Sequence, residues 1–116
     1  LATYVATTVP LNGLVLSTLL AAAATPASGD LAPTGTGVKL VVQNTGGGAC
    51  VVTIPTPGTF EGDLSPLPSR VSVSIPATTG LAEIPLTDAH RDPTTGLATI
   101  NYSTVTGVKA IVTRNP

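Results

Sequence analysis

Chemistry is scarce in this chain. Its 116 residues include five basic and six acidic side chains, one His, one Cys, two Tyr, one Phe, and neither Met nor Trp. A lone Cys, Cys50, forms no intrachain disulfide, which excludes a disulfide-stapled secreted scaffold. One His with no second Cys leaves a transition-metal site incomplete and argues against a Ser-His-Asp triad. The formal net charge is −1 and no run of Lys or Arg occurs, so the electrostatic footprint of a nucleic-acid partner is missing. With so little charge a free monomer has weak colloidal protection; a surface covered by partners fits the composition, and so does a soluble module with a Thr/Ser-rich polar surface.

What is present is strand and turn material: twenty Thr, twelve Gly and eleven Pro, with Val, Leu, Ile and Ala making up most of a 42% hydrophobic content. β-Branched side chains suit a pleated sheet, so the bias predicts an all-β domain. The mean hydropathy of +0.43 with low charge is the opposite of a disordered composition.

Residues 1–11 predict an extended arm. Leu and Ala enrichment from Asn12 or Ser17 to Ala24 predicts a short helix, ended by Pro26. The apolar run 14–24 is about half the length needed to span a bilayer. No Lys or Arg precedes it, which disfavours a secretory signal. Residues 25–37 are turn-rich and predict a linker. From Val38 the chain predicts about six short strands: 38–43, 49–54, 70–75, 81–86, 98–103 and 108–113. Gly46-Gly47-Gly48 between the first two predicts a hairpin. In 71–75, Val71, Val73 and Ile75 alternate with Ser72 and Ser74, the pattern of a half-buried strand. Evenly spaced short strands predict a small antiparallel β-sandwich, jelly-roll, Ig-like or barrel-like, with an N-terminal arm. The expected division is residues 1–36 for arm, helical segment and linker, and 37–116 for the sandwich.

The cluster Asp88-Ala89-His90-Arg91-Asp92 is the single catalytic-looking one. Alternation on a strand would show Asp88, His90 and Asp92 to a cation. Its polar surroundings and Pro93 predict instead a solvated loop. Glu61 and Asp63 lack the spacing of a calcium loop. The triple glycine lacks the Lys-Ser/Thr ending of a phosphate loop, and no Ser lies in a G-x-S-x-G elbow. Cys50, in an apolar run, predicts a buried thiol. No enzymatic activity, cofactor or metal is expected. The candidate interface is the apolar N-terminal segment: Tyr4, Val5, Val9, Pro10, Leu11, Leu14 and Leu16. Left in water it would be a large apolar patch; it either folds back over the domain or docks on a neighbour, residues 2–9 adding a strand to a partner's sheet edge.

Four segments carry a family resemblance. They are Val38-Lys39-Leu40-Val41-Val42-Gln43-Asn44 with its glycine turn, and Val51-Val52-Thr53-Ile54 with Thr56-Pro57-Gly58. Next come Val71-Ser72-Val73-Ser74-Ile75-Pro76-Ala77 and the ending from Gly96 to Tyr102-Ser103, then Thr106-Gly107-Val108-Lys109-Ala110-Ile111-Val112. Over roughly residues 37–113 the chain resembles capsid decoration (minor capsid, or cement) proteins of tailed phages that infect actinobacteria. That resemblance implies a non-enzymatic β-sandwich on the exterior of an icosahedral capsid, bridging subunits of the major capsid protein and stabilising the shell. It implies as partners the major capsid protein and copies of itself, with a trimer one of the states such families adopt, and neither nucleic acid nor membrane. No binding residues transfer, because the shared pattern is a scaffold pattern. The alternative is a tail-associated or surface-exposed binding module for a receptor or carbohydrate, or a minor head–tail component. Sugar sites favour aromatic platforms, and only Tyr4, Phe60 and Tyr102 are on offer.

Overall fold

The computed structural model describes residues 2–23, 25–55, 71–92 and 95–116. Phe60, Glu61 and Asp63, and the turn at 56–58, lie outside the described residues. The strands are β1 (Thr7–Thr8), β2 (Asp30–Ala32), β3 (Val38–Asn44), β4 (Cys50–Ile54), β5 (Val71–Ile75), β6 (Gly80–Pro85), β7 (Ala98–Tyr102) and β8 (Val108–Arg114); a helix, α1, spans Leu16–Ala22. They form two four-stranded sheets, ordered β1-β8-β3-β6 and β2-β7-β4-β5, packed as a β-sandwich. First pairs with last, second with seventh, third with sixth and fourth with fifth. That nested scheme is the strand order of a jelly roll, two interleaved Greek keys. Among these strands it departs from the all-antiparallel form at one pair, where β1 runs parallel to β8.

Period-2 alternation puts the core between the sheets. Val38, Leu40 and Val42 of β3, Cys50, Val52 and Ile54 of β4, and Ala98, Ile100 and Tyr102 of β7 point inward, as do Val108, Ala110 and Val112 of β8. Each fully buried Val, Leu or Ile contributes about 1.5–3 kcal/mol relative to exposure, so this interior is the main source of stability. Val41 lies on the outer face of β3, opposite Ile111 of β8, yet is only 3% exposed. On the neighbouring strand β8 packs α1, which buries its own Leu20. The helix has no side-chain N-cap; at its other end Lys109 Nζ, from β8, donates to the Ala23 carbonyl at 2.8 Å. A cation on the orphan carbonyls of a helix C-terminus is favourable, and here it also fixes the helix to the sheet.

The structure corrects three sequence expectations. Gly46-Gly47-Gly48 does not close a hairpin, because β3 and β4 lie in different sheets. The same holds for the connections β5–β6 and β7–β8: all three turns cross from one sheet to the other. They stack together at one end, where Thr45 N donates to the Gly107 carbonyl (2.9 Å) and Thr78 N to the Gly46 carbonyl (2.9 Å). Asn44, fully buried, is the hub. Its Nδ2 donates to the Gly48 and Ile75 carbonyls (2.9 and 3.2 Å), and its Oδ1 accepts from Gly46 N (3.0 Å). Gly107, at φ +74°, supplies the left-handed residue that lets the β7–β8 arch lie against Gly46. Second, Asp30–Ala32, expected in the linker, is a strand of the second sheet, so the sandwich begins before residue 37. Third, His90, expected in a solvated loop, sits in a 3-10 turn over Asp88–His90 and is 4% exposed.

Candidate functional site: the N-terminal arm

The arm crosses from one sheet to the other. Leu31 N donates to the Ala2 carbonyl and Tyr4 N to the Leu31 carbonyl, at 2.8 and 2.7 Å, which lays residues 2–4 parallel to β2 on the edge of the second sheet. Three residues later Thr7 and Thr8 pair with Thr113 and Arg114, and Val9 N donates to the Arg114 carbonyl at 2.8 Å. A single extended segment thus closes one open side of the sandwich. Residues 2–9 fold back on their own chain; their backbone pairing groups on these edges are already in use.

Tyr4 anchors this arrangement. Its hydroxyl donates to Asp30 Oδ2 at 3.1 Å and lies 3.0 Å from the Tyr102 hydroxyl. With the Tyr4 proton on Asp30, Tyr102 donates to the Tyr4 oxygen. Asp30 is 2% exposed and also accepts from Ala2 N (2.7 Å, Oδ1) and Ala27 N (3.0 Å, Oδ2). A buried carboxylate so furnished with donors is the arrangement that makes burial tolerable. Burial pushes the Tyr4 phenol up to about 12, with the Asp30 charge acting in the same direction. The Tyr102 phenol is raised further, by burial first and then by the hydrogen bond to Tyr4. Ser28 completes the fixture, its Oγ accepting from Tyr102 N at 3.1 Å.

A cleft of about 240 Å³ opens beside this latch, lined mainly by apolar atoms of Ala2, Tyr4, Ala23, Pro26, Ala110 and Ile111. Beyond it the arm turns outward. Among the described residues the large hydrophobic side chains most exposed are Val5 (84%), Leu11 (94%), Val15 (65%) and Leu81 (60%), and the first three belong to the arm and to the turn that leads into α1. Of the expected interface residues, Val5, Pro10 and Leu11 are exposed, while Val9, Leu14 and Leu16 are half-buried. Tyr4 is different: it faces inward and packs against the core. Val15 was not anticipated, and neither were Asp30 and Tyr102 as the arm's anchor. A hydroxyl-bearing aromatic near apolar residues needs a polar partner, which is the one sequence signal for that contact.

The polar cluster at 88–92 offers less chemistry than its composition suggested. Asp88 Oδ1 accepts from Thr34 Oγ1 at 3.1 Å, and the 3-10 turn removes the strand alternation that would align Asp88, His90 and Asp92. Among the described residues no three His, Cys, Asp or Glu side chains are placed to hold a metal ion, and no helix is long and apolar enough to cross a membrane. Cys50 is fully buried, its thiol 3.3 Å from the Thr104 carbonyl. The Lys39–Glu83 ion pair (3.0 Å) lies on the surface, where such pairs contribute about 0–1 kcal/mol. Compared with family models, curated proteins and solved structures, the chain has no significant match.

Proposed function

We propose that this protein is a structural component of a phage virion, a decoration protein that binds the outer surface of an icosahedral capsid and bridges adjacent subunits of the major capsid protein. The observation that carries the proposal is the concentration of exposed apolar side chains, Val5, Leu11 and Val15, on one continuous stretch beside a rigid sandwich. Scarce charge also fits a role in contact. The two tyrosine hydroxyls are engaged with each other, and Tyr4 also with Asp30, which weakens the sugar-binding alternative.

Contact of this kind works by number. Each copy supplies a modest interface, and many copies on one shell tie neighbouring capsomers together, so that opening the shell requires breaking many contacts at once. The test is a particle lacking the protein: its shell should fail at lower temperature or in low salt, and adding back the purified chain should restore resistance. Unchanged resistance would overturn the cementing role.

A further inference from the structure

We infer that residues 2–9 are an exchangeable arm, and that the slot they fill between β2 and β8 accepts the same segment from a second copy of this chain. The inference goes beyond the capsid reading and needs no shell. The slot's complementarity is visible in the folded chain, where it takes Ala2–Tyr4 along β2, the Tyr4 hydroxyl on Asp30 and Tyr102, and Thr7–Val9 along β8. A second copy presents identical groups, so every one of these contacts can be remade between chains at no loss. That equivalence is the physical basis of domain swapping.

Three features favour exchange of this segment over any other. Its backbone hold is short: β1 has two residues, both exposed, and the pairing to β2 is one isolated bridge, so release of the segment turns chiefly on the polar contacts of Ala2 and Tyr4 with Asp30 and Tyr102, which a second copy can replace. The boundary is well placed, because α1 stays fixed through buried Leu20 and the Lys109–Ala23 hydrogen bond while the connection before it is free to open. That connection, residues 10–15, holds a turn closed by Gly13 N on the Pro10 carbonyl (3.0 Å), with Gly13 at φ +101° in open space. Extended, six residues reach roughly 20 Å, enough to carry the arm away from its own slot. Finally, Leu11 and Val15 of the connection are left in water by the closed form, and the exchanged form places that connection between two molecules.

The test uses two single-cysteine additions that cannot bond within one chain. Thr3 and Leu31 are register partners. Thr3→Cys protein is mixed with Leu31→Cys protein at high concentration and oxidised, and disulfides are mapped by mass spectrometry, which also separates any bond to native Cys50. As a control, Thr3→Cys is mixed with Ser72→Cys, an exposed position on β5 at the far edge of the same sheet. Exchange predicts an interchain 3–31 disulfide at least about tenfold more abundant than the 3–72 bond, the advantage that proximity gives over collision. It also predicts that the Thr3→Cys/Leu31→Cys double variant, oxidised while dilute, stays monomeric on concentration, whereas the unmodified chain forms dimers or larger species by light scattering. A 3–31 yield no greater than the control, or equal self-association of locked and unmodified chains, would overturn the inference.

Discussion

The hydroxyls of Tyr4 and Tyr102, 98 positions apart in sequence, lie 3.0 Å from each other, with Asp30 accepting from the first. This contact joins the N-terminal arm to the interior strand β7 and makes the arm part of the folded unit.

Removing the Tyr4 hydroxyl tests that relationship. Tyr4→Phe should cost about 1–3 kcal/mol, because it leaves the buried Asp30 carboxylate short of a donor and Tyr102 without its acceptor. Tyr102→Phe should cost less, since Asp30 keeps Tyr4. Urea unfolding of both single variants and the double should show non-additivity of about 0.5 kcal/mol or more, as expected for groups in one network.

Alkaline titration offers an independent check. Both phenols are raised above their ordinary value of 10, so the neutral form is favoured in the folded state. Their stabilising contribution is therefore complete below pH 10 and falls as pH rises above it, for Tyr4 until about 12, where it titrates, and for Tyr102 beyond that. Phenolate absorbance should stay low through pH 10 and emerge with unfolding. A tyrosine ionising near 10 in the folded protein would show the latch to be open.

The glycine turns predict a contrast within three adjacent residues. A Cβ on Gly46 would collide with the Thr106 carbonyl oxygen, whereas a Cβ on Gly47 or Gly48 meets nothing within 4 Å. Gly46→Ala should destabilise the fold by about 2 kcal/mol or more, as overpacking against backbone does. Gly47→Ala and Gly48→Ala should be near neutral. Asn44→Ala should also be costly, by about 2–3 kcal/mol, because it orphans the Gly46 amide and removes the bonds to the Gly48 and Ile75 carbonyls. Thermal melts of the four variants would separate these outcomes.

Much of this architecture was legible in the sequence, and what was not has a common cause. Alternation marked β5 and β7, a β-rich run marked β4, and Pro and Gly marked their ends. Partnership between strands was hidden, because a glycine turn that arches between sheets uses the same residues as one that closes a hairpin. Only Asn44, polar at the end of an apolar strand, hinted that the Gly46 turn meets other turns. Strand β2 was missed since three residues, Asp30-Leu31-Ala32, carry too little periodicity to stand out from a turn-rich stretch. The arm's composition showed that it was apolar, but its fold-back depends on Asp30 and Tyr102, which local pattern does not connect to Tyr4.

Deleting residues 1–11 should then destabilise the chain by about 2–4 kcal/mol, the combined loss of a half-buried tyrosine and its hydrogen bonds. The core from Ala32 to Val112 contains no fully buried arm residue, so a cooperative, folded sandwich should remain by near-ultraviolet and far-ultraviolet circular dichroism. Collapse of the fold would show the arm to be indispensable to folding.

Cryo-electron microscopy of the particle tests the proposal that this chain works as contact area on a capsid exterior. Sandwich-shaped density is expected on the outside of the shell, bridging neighbouring subunits, with Val5, Leu11 and Val15 buried in a protein interface. Density confined to the tail, or Val5, Leu11 and Val15 facing solvent in the assembled particle, would contradict it.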